Sequence, residues 1–432
     1  MTALGGARRP AGYAQPAIAQ ADIAARPGPA PGAVSAAGAD LSVGARAAVT
    51  RLALTDFRCY ARLKLVLDAR PVVLTGPNGA GKTNLLEALS FFAPGRGLRR
   101  ARLGEVDRIG AGPWGAAATV LGPTGVLEIG TGHDRPNHDR SGDVGEGQST
   151  DGRRVVRVDG RTERGQAALA SAVAVFWLTP DMDRLFAEGP GARRRFLDRL
   201  VYGFDPEHAR RVAVYEHAMR ERARILREGR GDGAWLSALE DRMAREGVAI
   251  ASARRAVAER LARAIHDGAG AFPKAGLAVE GPLDRALAEG PALAAEDAVR
   301  AALATARGED AISGGAATGP HKSDLVVRHL GKDMPAALCS TGEHKALLIS
   351  IALANARLVA LDRGAPPILL LDEVAAHLDA TRRAALFETL LELRAQTWMT
   401  GTDAHLFAPL GQAAQHFAVA EAAVVPLAGV PS

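Results

Sequence analysis

The stretch Val72–Phe92, VVLTGPNGAGKTNLLEALSFF, decides the fold. Four apolar or small residues lead into a glycine-rich turn, then Lys82-Thr83, then a helical pattern. The turn fits G-x-x-x-x-G-K-[ST] from Gly76 to Thr83. Such a loop lets Gly76, Gly79 and Gly81 curl the backbone, so that the amides of Gly76, Pro77, Asn78, Gly79, Ala80 and Gly81 form a cradle open to phosphate oxygens, Pro77 alone lacking an N–H. The helix opening at Lys82 adds its positive end. Lys82 then reaches the β- and γ-phosphates, the Thr83 hydroxyl ligates Mg²⁺, and Asn84 lies just behind. The expected ligand is ATP with Mg²⁺.

The 432 residues suffice for one large or two to three ordinary domains. A net charge of +5 permits a nucleic-acid partner without requiring one. Lys is scarce while Ala and Arg are abundant, a codon-bias pattern that weakens the arginines as evidence for DNA. Two cysteines, Cys59 and Cys339, give neither a disulfide framework nor zinc spacing, and the expected compartment is a reducing cytoplasm. No apolar run is expected to reach the length of a membrane span.

Residues 1–47 are mostly Ala, Gly, Pro and Ser with few large apolar side chains, so a disordered tail is expected. A true start near Val43 or Val49 is the alternative. The polar stretch Gly132–Arg154 reads as a surface insertion. Alternation through Leu52, Leu54, Leu63, Leu65 and Leu67 predicts a β-hairpin running into the phosphate-loop strand. Further strands are expected at 118–130, 155–160 and 172–180, and again in DLVVRHL, PPILLLDE and QTWMTG. Helical patterning fills 191–267 and 292–307. The layout is an ATPase lobe in two parts, 48–190 and 313–432, split by a helical lobe at 191–312.

PPILLLDE sets an apolar strand before Asp372-Glu373. Asp372 would hold the Mg²⁺ shell, and Glu373 would polarise the attacking water. Upstream, CSTGEHKALLISIALANARLVAL (Cys339–Leu361) opens a long apolar helix with Ser340, Thr341 and Gly342. Alone this is a good N-cap. The order phosphate loop, Ser-x-Gly-Glu, hhhhDE, then AAHLD ending in Asp379 resembles the ABC ATPases. That resemblance implies that Ser340 and Gly342 meet the γ-phosphate of another subunit's ATP in a head-to-head homodimer.

The flanking blocks narrow the resemblance. LALTDFRCY, GKTNLLEALSFFAPGRGLRRAR, LTPDMDRLFAEGPGARRRFLDRL, GPHKSDL and QTWMTGTD together resemble the RecF family across most of residues 49–420. The chain departs from that pattern at Cys59, at Lys322-Ser323 and at Glu343-His344. The resemblance implies an α/β ABC-type ATPase head without a long coiled coil, and a protein that binds ATP and DNA (duplex, single strand and gap junctions). It also implies slow hydrolysis, and RecA loading with RecR- and RecO-type mediators. Arg58 would approach the nucleotide. The absence of sustained heptads speaks against an SMC or RecN reading. A transporter ATPase subunit is the other rival, and Thr400 and Thr402 stand where its switch histidine would be expected. The clusters Arg96–Arg102 and Arg193–Arg199 would contact phosphodiesters or form internal bridges with Asp198. His321 would sense phosphate or cap a turn.

Overall fold

The computed structural model describes residues 46–134, 152–229, 232–268 and 270–427. The expected tail lies outside these residues up to 45, and so does 135–151 of the expected insertion.

Two six-stranded sheets carry the ATPase lobe. In the first, Val72–Thr75, Thr397–Gly401, Ile368–Leu371, Val175–Leu178 and Gln415–Ala420 run parallel, with Ala423–Pro426 antiparallel at one edge. Its central strands are buried along their whole length because both faces are covered. Their register matters to function. Thr75 pairs with Gly401 and Leu371 with Met399, so Gly76, Asp372 and Thr400 emerge at the same end of the sheet. Ligands of open α/β sheets bind at that carboxyl edge.

The second sheet is antiparallel, in the order Tyr60–Val66, Ala48–Phe57, Gly115–Gly122, Gly125–Asp134, Arg153–Val158, Arg161–Thr162. The alternating leucines do form the expected hairpin, but it belongs to this sheet, not to that of the phosphate-loop strand. Gln396, fully buried, joins the two. Its Oε1 accepts from the Val49 amide at 2.8 Å, and its Nε2 donates to the carbonyls of Val49 and Asp68 at 3.0 and 2.8 Å. Phe57, Phe91 and Trp114 pack their rings in the core alongside, with centroids 4.7 to 6.0 Å apart.

Helices Pro190–Tyr202, His208–Glu228 and Gly233–Asp267 build the second lobe with Ala292–Thr305. The longest has 35 residues and buries Met243, Ala244, Gly247, Val248 and Ala251 along one stripe. It packs within the molecule and leaves no projecting coiled coil among the described residues. Buried Arg222 donates to Glu240 at 2.9 Å, to Asp310 at 2.7 Å and to the Leu303 carbonyl at 2.6 Å, tying its helix to three others. The stretch 191–312 also holds a strand, Ala275–Glu280, which pairs antiparallel with Asp324–His329.

One expectation is corrected here. Helix Thr341–Arg363 is both long and apolar enough to cross a membrane. It is a core helix instead, with most of its residues buried among the strand Val175–Leu178 and the helix Gly233–Asp267.

Candidate functional site

The loop has the backbone that its glycines permit. Gly76 and Gly81 adopt φ of 151° and 113°. A Cβ on Gly76 would collide with the Val419 carbonyl, and one on Gly81 with the Tyr60 hydroxyl. Tyr60 Oη also donates to the Gly81 carbonyl at 3.2 Å. Pro77, Asn78 and Gly79 form the exposed crest, and Ala80 is buried beneath it. Lys82 Nζ folds over the loop and donates to the carbonyls of Gly76 and Pro77 at 2.7 and 2.9 Å. Burial pulls its pKa down, while Glu373 and Asp372 oppose that shift.

Thr83 and Asp372 meet as expected. Thr83 Oγ1 lies 3.1 Å from both carboxylate oxygens of Asp372, across 289 residues of chain. A hydroxyl and a carboxylate converging beside a phosphate cradle are hard oxygen donors. They suit Mg²⁺, which takes one or two protein groups and completes its shell with water and phosphate oxygens. Burial raises the Asp372 pKa, against the hydroxyls of Thr400 and Thr83, which hold the charged form.

Thr400 is the residue that motif reading undervalued. Its Oγ1 donates to Asp372 Oδ1 at 2.7 Å and accepts from the Glu373 amide at 2.9 Å. Glu373 itself sits in the left-handed region, with φ of 51°, an uncommon place for glutamate. Thr400 therefore anchors both acidic residues. Replacing it with valine strands the Glu373 amide and takes one of two hydroxyl donors from Asp372 Oδ1, at about 1–3 kcal/mol. We expect Thr400→Val to lower kcat for ATP by about tenfold or more with little change in ATP affinity, about 1.4 kcal/mol at the transition state being tenfold. Steady-state kinetics alongside nucleotide titration check this, and an unchanged kcat removes Thr400 from the site.

The structure ties Arg58 to the phosphate-loop helix. Its Nε and Nη2 donate to Glu87 at 2.9 and 2.6 Å, and Nη1 donates to the Glu105 carbonyl at 2.6 Å. Arg99 Nη1 joins the same buried carboxylate at 3.1 Å and also donates to Asn84 Oδ1 at 2.7 Å. Asn84 Nδ2 in turn reaches Cys59 Sγ at 3.1 Å. Glu87 thus gathers two arginines one helical turn beyond Thr83, a role invisible in the loop motif.

Ser340 caps helix Thr341–Arg363 through a reciprocal box. Ser340 Oγ accepts from the Glu343 amide at 3.4 Å, while the Glu343 carboxylate accepts from the Ser340 amide and hydroxyl at 2.8 and 3.0 Å. Lys332 pairs with Glu343 as well, and these contacts hold its carboxyl down at about 2. Ser340, Thr341 and Gly342 are exposed, with open space around Gly342.

Other candidates are drawn into the fold. Asp198 is bridged by Arg254 and His208, not by its neighbouring arginines. Arg193 instead pairs with Asp324 at 2.7 Å, Arg194 donates to the Ser323 carbonyl, and Arg199 stacks over Trp177. Arg96, Arg100, Arg102 and Arg195 remain exposed. His321 lies 2.7 Å from the Tyr215 hydroxyl and 3.0 Å from the Ala316 carbonyl, which settles it in its turn, and burial lowers its pKa.

Comparison with known proteins gives the family. Residues 48–421 match the RecF/RecN/SMC N-terminal domain. The DNA replication and repair protein RecF of Mesorhizobium japonicum is 49% identical over 382 residues, 88% of this chain and 97% of that protein. RecF of Rhizobium meliloti is 50% identical over 381 residues, covering 87% and 98%. A solved structure of the recombination mediator protein RecF-ATPrS in the RecFOR pathway superposes with a TM-score of 0.72 at 19% identity, covering 89% of this chain and 99% of its own. The chain belongs to the RecF family of ABC/SMC-like ATPases.

Proposed function

We propose that this chain is an ATP-dependent DNA-binding protein of recombinational gap repair and replication maintenance. ATP closes a head-to-head homodimer, DNA stimulates a slow hydrolysis, and RecR- and RecO-type mediators cooperate with it in loading RecA. The observation that carries the reading is the pairing of two half-sites in one chain. Thr83, Asp372, Thr400 and Glu373 form a connected catalytic edge. Ser340 and Gly342 present an open helix N-terminus to solvent. An ABC head with both halves needs a second head to complete each site.

Thr83 and Asp372 would hold Mg²⁺, which would neutralise charge building on the β- and γ-phosphate oxygens. Lys82 leaves the carbonyls of Gly76 and Pro77 for those oxygens. Glu373 orients water in line with the γ-phosphate. The relatives named for DNA replication and repair support DNA as the partner, and the mildly basic balance of the chain permits it. With aromatics at only 4%, a base-stacking platform is not expected, and phosphate contacts should dominate.

The test is the ATPase rate with and without duplex, single-stranded and gapped DNA, together with DNA affinity across a salt series. We expect stimulation by DNA and an affinity that falls steeply with salt but ignores sequence. ATP binding with no turnover on any DNA would replace the enzyme by an ATP-gated scaffold. A strong preference for one base sequence over a scrambled control would contradict phosphate-led binding.

A further inference from the structure

Lys345 is the buried charge that the scheme above leaves without a task. It lies five residues into the signature segment from Ser340, yet only 4% of it is exposed. Its Nζ makes no hydrogen bond among the described residues and stands 3.7 Å from Asp183 Oδ2. A buried ammonium that is desolvated and so loosely partnered is costly, and such groups call for an explanation.

Its surroundings point to one. Asp183 sits on the turn Pro180–Arg184, directly after the strand Val175–Leu178. That strand's Leu178 carbonyl accepts from the Asp372 amide at 2.9 Å. The turn therefore flanks the acidic pair. His344 fastens the signature helix to the same place, its Nδ1 lying 3.0 Å from the Asp183 carbonyl. Burial pulls the Lys345 pKa down, opposed first by Asp183 and last by the charge of Glu373. One helix thus offers Ser340 outward at its tip and Lys345 inward one turn later.

We propose that Lys345 is a positioning residue for its own subunit's Glu373, so that the signature helix serves its partner's site through Ser340 and its own site through Lys345. The inference rests on the shared-site reading above. The ammonium steadies the Glu373 carboxylate and the water it orients, and it transfers no proton.

Lys345→Met keeps the length and removes the charge. It should bind ATP with unchanged affinity and melt within a few degrees of wild type, while kcat falls roughly tenfold to a hundredfold. Lys345→Arg should recover part of the rate. A wild-type kcat in Lys345→Met overturns the proposal, and so does an equal loss in Lys345→Arg accompanied by a collapsed melting temperature in both.

Mixed dimers separate the two sites. Ser340→Ala, which removes the hydroxyl without the bulk that would part the heads, mixed with Glu373→Gln puts both lesions of the heterodimer in one site and leaves the other whole. About a quarter of wild-type activity should return, since half the dimers are mixed and each has one live site. Lys345→Met mixed with Glu373→Gln should stay inactive, because each lesion disables its own subunit's site. Recovery in that second mixture would assign Lys345 to the partner's site and overturn the proposal. Failure of the Ser340 mixture would instead count against shared sites, leaving the kcat of Lys345→Met to judge the lysine.

Discussion

Glutamine in place of Glu373 should leave ATP bound and all but stop its hydrolysis. The side chain keeps its size and one carbonyl oxygen, and the amide that Thr400 anchors at 2.9 Å is untouched. What disappears is the basic oxygen that, in the proposed function, faces the attacking water. A lost general base costs about 10²–10⁴ in rate. Nucleotide affinity is set elsewhere, by the loop from Gly76 to Thr83 and by Lys82. The complex should therefore accumulate before chemistry, and ATP-held dimers and their DNA complexes should outlive those of the wild type. Single-turnover hydrolysis and nucleotide titration on the same preparation decide it. Turnover within about threefold of wild type would remove Glu373 as the catalytic group, since that lies far inside the expected loss.

The phosphate loop, the acidic strand end and the signature helix were legible because each is a local device. Glycines that need positive φ, a lysine-threonine pair and a serine cap all act within a few residues of themselves. Thr400 was harder to read. Its importance comes from sheet register, which sets it beside Asp372 although 28 residues separate them. Glu87 looked like any polar helix residue, and only folding brings Arg58 and Arg99 onto it. The strand Ala275–Glu280 hid inside a helical region because six short residues gain their form from pairing with Asp324–His329. The partner of Asp198 is hidden for a similar reason, Arg254 being 56 residues away. The membrane-length helix is the converse case. Composition alone cannot tell a core helix from a spanning one, and tertiary burial does.

Arginine in place of Ser340 should abolish ATP-induced dimerisation while sparing ATP binding. The capping box joins Ser340 only to Glu343, and the residues around it are exposed, so the larger side chain has room in the isolated subunit. The loss of one cap costs about 1 kcal/mol, too little to unfold a chain of this size. In the dimer the same guanidinium would stand where the partner's γ-phosphate must approach the helix N-terminus. Its bulk would hold the heads apart, and hydrolysis would fall to background because neither site is completed.

Sedimentation velocity of wild type and Ser340→Arg, each with and without ATP and with the nucleotide dissociation constant measured alongside, tests the shared-site account most directly. The account predicts a wild-type shift to a dimer with ATP, no shift in the variant, and matching affinities for both. A Ser340→Arg protein that still dimerises with ATP, or one that loses ATP affinity as a monomer, would contradict it.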